Sequence, residues 1–181
     1  QGLRELYQEI ILDHSRHPRH FGALADANHV AEGFNPLCGD KVKIYLSVDA
    51  CDRITDVSFE GRGCAVSVAS ASLMTEMLKG RTVEQAEELM GGFLLLVKGE
   101  SAQTLEEDDR ERLEVMAGVS AFPMRVKCAT LAWHAMKAAL LDAIKGSNVP
   151  ARCEPAACGF QAEAGGGSGM FVGEQEVGGG F

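Results

Sequence analysis

The stretch DKVKIYLSVDACDRITDVSFEG, Asp40 to Gly61, decides the fold. Its first half sets apolar Val42, Ile44, Leu46 and Val48 at every second position, the period of a strand with one buried face. A short loop from Ala50 to Arg53 follows, and Ile54, Val57 and Phe59 then mark a second strand. So short a connection can join only antiparallel neighbours. Upstream, the apolar-polar piece from His29 to Phe34 supplies a third strand, and the three read as an antiparallel meander.

Helical patterns flank the meander on both sides. Leu3, Leu6, Tyr7, Ile10 and Ile11 recur at helical spacing, and that helix stops before Pro18. Downstream, CAVSVASASLMTEMLKG (Cys64–Gly80) is rich in small residues and methionine and carries no internal Gly or Pro, so it predicts a helix packed closely on the sheet. Thr82 and Gln85 form a capping box for a helix to about Lys98, with Gly91-Gly92 as its weak point. A charged helix, LEEDDRERLEVM (Leu105–Met116), stops near Gly118 and reads as a solvated face. Pro123 breaks the chain before a last long helix, which has Cys128 near its start and ends at Gly146.

The composition, 46% hydrophobic and 24% charged over 181 residues, is that of one globular domain with a real core. A formal charge of -9 leaves no dominant basic face for phosphates, which argues against nucleic acid as a main partner. No apolar run reaches membrane-spanning length, and the opening QGLRELYQEI lacks the basic and apolar regions of a secretory signal. The expectation is a cytoplasmic protein with reduced thiols, in which six cysteines serve metal binding or thiol chemistry. Residues 147–181 change character, with GGGSG and GGG runs and few large apolar side chains, and read as a flexible Gly-rich tail after a domain of residues 1–146.

Three cysteines share a setting: Cys38 just before a strand, and Cys64 and Cys128 at the entrances of two helices. Helix N-termini favour thiolate over thiol, and the thiolate is both nucleophile and metal ligand. Asp40 stands two residues after Cys38, so in an extended backbone both side chains leave the same face. Three sulfurs and one oxygen suit tetrahedral zinc or one edge of an iron-sulfur cluster. The same cysteines would serve as small buried hydrophobes, and Asp40 as a turn residue. With no CxxC knuckle, spacing alone does not choose between these readings.

Four ordered motifs do choose. LYQEIILDHSRHPRHFG, NPLCGDKVKIYLSVD, ITDVSFEGRGCAVSVASASLM and GVSAFPMRVKCATLAWHAM together resemble the SufU type of the IscU-like iron-sulfur assembly scaffold family, over residues 3–146. The resemblance implies an α+β domain: a small antiparallel β-sheet of about three strands packed against several α-helices, with a metal pocket at one end. It implies that Cys38, Asp40, Cys64 and Cys128 hold zinc, or iron or a 2Fe-2S cluster at the same site, and receive sulfur from a SufS-like cysteine desulfurase. Residues 80–117 look as if they include the insertion that marks the SufU type and is absent from IscU proper. Just before the third cysteine, where IscU has histidine, this chain has Lys127, whose ammonium has no lone pair for a metal. That leaves Asp40 as the oxygen ligand, while Lys127 and Arg125 are candidates for electrostatic support of thiolate or persulfide charge.

By resemblance to SufU, Cys38 accepts sulfur once a desulfurase histidine replaces it on zinc, and passes it to a downstream cluster assembly complex. By resemblance to IscU, Cys128 accepts sulfur and the four residues build a 2Fe-2S cluster. Either way the protein is a sulfur acceptor or scaffold more than a conventional enzyme, with zinc-dependent sulfurtransferase as its nearest enzymatic description. A structural zinc module for protein binding is a third reading, and a homo-oligomer is compatible with all three. His14, His17 and His20 form a HxxHxxH run that reads as a solvated helix end, since Pro18 interrupts it. His134 is no ligand candidate, and Trp133 and Met136 read as helix-face packing. Cys51 reads as a plain surface thiol, and Cys153 and Cys158, in the tail, take no role.

Overall fold

The computed structural model describes residues 2–146. In chain order these form α1 (Gly2–Arg16), β1 (His29–Asn35), β2 (Asp40–Val48), β3 (Ile54–Arg62), α2 (Ala65–Leu78), α3 (Val83–Val97), α4 (Glu107–Glu114), a 3-10 turn (Ala117–Ala121) and α5 (Pro123–Gly146). The Gly-rich segment of residues 147–181, with Cys153 and Cys158, lies outside the described residues.

The architecture is α+β, with the three strands antiparallel in the order β1-β2-β3. Val42, Ile44 and Leu46 point inward, as the alternation requires, and Ile54, Val57 and Phe59 join them from β3. The odd spacing of Ile54 and Val57 is resolved by a bulge: Ser47 pairs with Asp56 but Val48 with Ile54, so Thr55 is the extra residue. One inserted residue turns Ile54 back to the buried face. The α2 and α5 helices cover that face and pack on each other; α1 lies outside α2, and α3 against α5. Small side chains on α2 permit this close layering, with Ser70 and Ala71 almost fully enclosed. At its centre Trp133 stacks on Phe93, ring centroids 4.6 Å apart, and donates its Nε1 hydrogen to Ser70.

Four local readings change. The Gly91-Gly92 pair does not weaken α3, which runs unbroken; a Cβ on Gly92 would enter the Leu105 side chain, so the glycine makes room for that segment. Pro123 is the first residue of α5 and not merely a breaker, because a missing amide hydrogen costs nothing there. His14 is buried and not solvated: its Nδ1 meets Ser72 Oγ at 2.8 Å across the α1–α2 contact. The acidic α4 is only partly a solvated face, because Asp109 is buried and takes a two-pronged ion pair from Arg81.

That pair holds the segment between α3 and α5 onto the α2–α3 corner. Arg81 Nη2 and Nη1 reach Asp109 at 2.6 and 2.9 Å, and Nε donates to the Met77 carbonyl. Arg81→Ala would leave the enclosed carboxylate without its cation, at a cost of about 2 kcal/mol or more. The expected result in a thermal melt is a fall in Tm of roughly 4–8 °C. A fall below about 1 °C would mean that the pair is no more than an exposed one. Among the described residues no helix is long and apolar enough to cross a membrane.

Candidate metal centre

Residues 35–40 close the β1–β2 hairpin, with Asn35 opposite Asp40. The Leu37 amide donates to Asn35 Oδ1 at 3.1 Å and the Gly39 amide to the Asn35 carbonyl at 2.8 Å, which winds the loop tightly. Gly39 has φ +74, a left-handed conformation that side-chain-bearing residues avoid. Cys38 and Asp40 are therefore not two steps of one extended strand, as their spacing suggests. They flank a turn, which leaves Cys38 exposed while Asp40, the first residue of β2, is 2% exposed.

The turn brings Cys38 to the second turn of α5. Its sulfur lies 3.6 Å from that of Cys128, and the candidate ligand atoms of Cys38, Asp40 and Cys128 all lie within 4.8 Å of one another. Cys64 joins through Asp40: as N-cap of α2 it donates its amide to Oδ1 at 3.0 Å and its thiol to Oδ2 at 3.6 Å. The fold thus supplies the convergence that spacing could not.

The electrostatics follow from this crowding. Burial alone would raise the Asp40 carboxyl, but the Cys38 and Cys128 thiols, then the Cys64 amide and thiol, donate to it and hold it below the usual carboxylate range. The Cys128 thiol is pushed far up, first by burial and then by its bonds to Asp40 and the other cysteines. The expectation that a helix entrance favours its thiolate fails for Cys128, which is 2% exposed and, six residues into α5, lies past the unpaired amides. A buried thiol beside a carboxylate keeps its proton until a cation replaces it.

Three thiols and a carboxylate whose partners are one another form a donor set that fits tetrahedral zinc. Metal binding would then displace thiol protons, so affinity rises with pH. Arg125 and Lys127 stand exposed on the first turns of α5. The three histidines of the HxxHxxH run go separate ways: His14 to Ser72, His17 to Asp13 and His20 to Thr75. His134 is exposed, and Trp133 and Met136 are core. Cys51 is disulfide-bonded, which corrects the readings of a plain surface thiol and of wholly reduced cysteines. Pairing depends on Cα proximity, which a sequence pattern does not carry.

Sequence reasoning missed Gly63, just before Cys64. A Cβ there would lie 2.7 Å from Asp40 Oδ1, so only glycine lets the carboxylate sit where it does. Its one sequence signal is its place next to a candidate ligand.

The profile of the family described as NifU-like N terminal domain matches residues 6–147. The zinc-dependent sulfurtransferase SufU of Bacillus subtilis is 39% identical over 136 residues, 75% of this chain and 90% of that one. The iron-sulfur cluster assembly scaffold protein IscU of Streptococcus pyogenes is 39% identical over 138 residues, 76% and 84% of the two chains. Among solved structures, a protein of Fervidobacterium islandicum described as a candidate scaffold for the SUF system superposes with a TM-score of 0.68 at 36% identity. That match covers 76% of this chain and 98% of the other.

Proposed function

We infer, since this chain belongs to the NifU-like N-terminal domain family, that it serves iron-sulfur cluster assembly by accepting sulfur at Cys38. Two relatives at equal identity frame the choice, one named a zinc-dependent sulfurtransferase and one an assembly scaffold. A single observation favours acceptance at Cys38: its thiol is exposed, whereas Cys128, 3.6 Å away, is buried and keeps its proton. A sulfur donor on another protein can reach only the first.

The donor expected is a cysteine desulfurase carrying a persulfide. The Cys38 thiolate attacks the terminal sulfur of that persulfide; a sulfur–sulfur bond forms on Cys38 as the donor's breaks, and the donor leaves as thiolate. No net oxidation occurs, because the transferred sulfur carries its oxidation state with it. Cys38, Asp40, Cys64 and Cys128 would hold zinc, which when bound keeps thiols deprotonated at neutral pH and shields them from oxidation. The cations of Arg125 and Lys127, exposed near the start of α5, would offset the charge of thiolate or persulfide. From Cys38 the sulfur would pass to a downstream cluster assembly complex.

The second reading, a scaffold carrying a 2Fe-2S cluster as cargo, draws on the same donor set and on the relatives named IscU. Elemental analysis with an absorption spectrum of protein purified without oxygen separates the two. Acceptance predicts about one zinc per chain, no visible-range absorption, and persulfide on Cys38 after incubation with desulfurase and cysteine. Stoichiometric iron and sulfide with a stable visible spectrum would overturn it in favour of the scaffold.

A further inference from the structure

Asn35 holds a buried hydrogen-bond donor with nothing to donate to. The residue is 7% exposed, and its Oδ1 accepts the Leu37 amide at 3.1 Å, which fixes the amide's orientation. Its Nδ2 then has no acceptor among the described residues. Leaving such a group unpaired costs about 1–3 kcal/mol, so its persistence calls for an acceptor.

The register says where that acceptor lies. Asn35 pairs directly with Asp40, so the two side chains leave the same face of the sheet, Cβ atoms about 5 Å apart. Gly33 shares that face two residues back; a Cβ there would lie 3.1 Å from Leu131 Cδ1 and 3.3 Å from Ala135 Cβ. This side of β1 therefore packs on the α5 stripe made by Cys128, Leu131 and Ala135, which lie at helical i, i+3 and i+7 positions. The Cys38–Cys128 contact sets the N-terminal end of α5 beside the hairpin turn. One two-residue step along β1, about 6.6 Å, matches about four helical residues and so carries Asn35 from the Leu131–Ala135 level to that of Cys128.

The geometry points to Asn35 Nδ2 as the hydrogen-bond donor to anionic sulfur on Cys128, whether thiolate, persulfide or sulfide. Asn35 is thus more than a turn residue: one end of its amide winds the loop that presents Cys38, and the other anchors the inner sulfur. The bond is not made among the described residues; the register of Asn35 against Asp40 and the packing of Gly33 on α5 set the amide and the sulfur on one face, where the sulfur can turn to Nδ2. The inference rests on the thiolate site of the proposed function and adds a ligand-holding residue to it.

The test uses the full chain loaded with Co2+, whose sulfur-to-metal charge-transfer absorption reports hydrogen bonding to thiolate. A donated N–H lowers the sulfur lone pair and moves that band to higher energy. Asn35→Ser keeps an acceptor for the Leu37 amide but falls short of the Nδ2 position; Asn35→Asp keeps the acceptor and replaces the donor with an oxygen. Both variants are expected to shift the band to lower energy, and Asn35→Ser to bind Co2+ about tenfold more weakly. The metal-free melt of Asn35→Ser should stay close to the original, whereas that of Asn35→Asp, whose new carboxylate faces Asp40, should fall. Bands that coincide with the parent's in both variants would leave Asn35 a turn residue and overturn the inference alone. A parent protein with no sulfur-to-cobalt band would overturn the thiolate site and this inference with it.

Discussion

Cys38→Ser is expected to lower persulfide acceptance from a desulfurase by about two orders of magnitude or more, read by mass spectrometry of the labelled chain. A serine hydroxyl has the reach of the thiol but is not a nucleophile at neutral pH without a base beside it. The competing acceptor, Cys128, is disfavoured twice. It is 2% exposed, and its thiol is pushed far above the ordinary value by burial and by its bond to Asp40. Under the proposed function, sulfur would therefore enter at the exposed member of the pair. Cys128→Ser is the companion variant: it should weaken metal binding while leaving Cys38 able to take sulfur. Labelling that survives Cys38→Ser and vanishes in Cys128→Ser would reverse the assignment. Because the two sulfurs stand 3.6 Å apart, only peptide mapping of the trapped adduct, not its mass alone, identifies the acceptor.

How much of this could be read from the chain differs from residue to residue, for physical reasons. The sheet was legible because Val42, Ile44 and Leu46 obey a local period, and α3 because Thr82 and Gln85 form a capping box, which the structure contains. Local rules made Cys38, Asp40, Cys64 and Cys128 no more than candidates; the resemblance of four motifs to a known family joined them, because their meeting depends on residues far apart in sequence. Three of the misreadings share one cause. Gly92, His14 and Asp109 each look like a weak or solvated position until a distant partner, Leu105, Ser72 or Arg81, is placed against them. The spacing of Cys38 and Asp40 suggested an extended pair, but Gly39 takes positive φ and makes a turn, so one ligand is exposed and the other buried. That asymmetry, invisible in the motif, is what the proposed function draws on to separate an acceptor from a holder. Asn35 and Gly63 act through one unpaired atom and one missing atom, and neither leaves a periodic trace.

Gly63→Ala tests how tightly the carboxylate is held, and its expected effect is also large. The new Cβ would stand 2.7 Å from Asp40 Oδ1 and 2.8 Å from its Cγ, closer than a methyl group can approach. Either the carboxylate rotates away or the start of α2 moves, and in both cases the 3.0 Å bond from the Cys64 amide to Oδ1 is lost. All four ligand side chains remain in the variant, so any loss of metal comes from their misplacement. Zinc affinity, read by chelator competition, should fall by about a hundredfold. Stability of the metal-free chain should fall by about 1–3 kcal/mol, the cost of an amide left without its acceptor. The pH dependence gives an independent sign. Burial would raise the Asp40 carboxyl, yet the thiols of Cys38 and Cys128, with the amide and thiol of Cys64, hold it below its ordinary value. A carboxylate whose pKa is lower folded than unfolded contributes stability above its unfolded pKa, about 3.9, and loses it as pH falls through the folded value. Urea midpoints of the metal-free parent and Gly63→Ala should therefore differ most at neutral pH and converge below about pH 4, as protonation removes what the parent alone retains. A gap that stays constant down to the acid limit would mean the methyl group disturbs only packing, and that Asp40 is not the hub on which three cysteines converge.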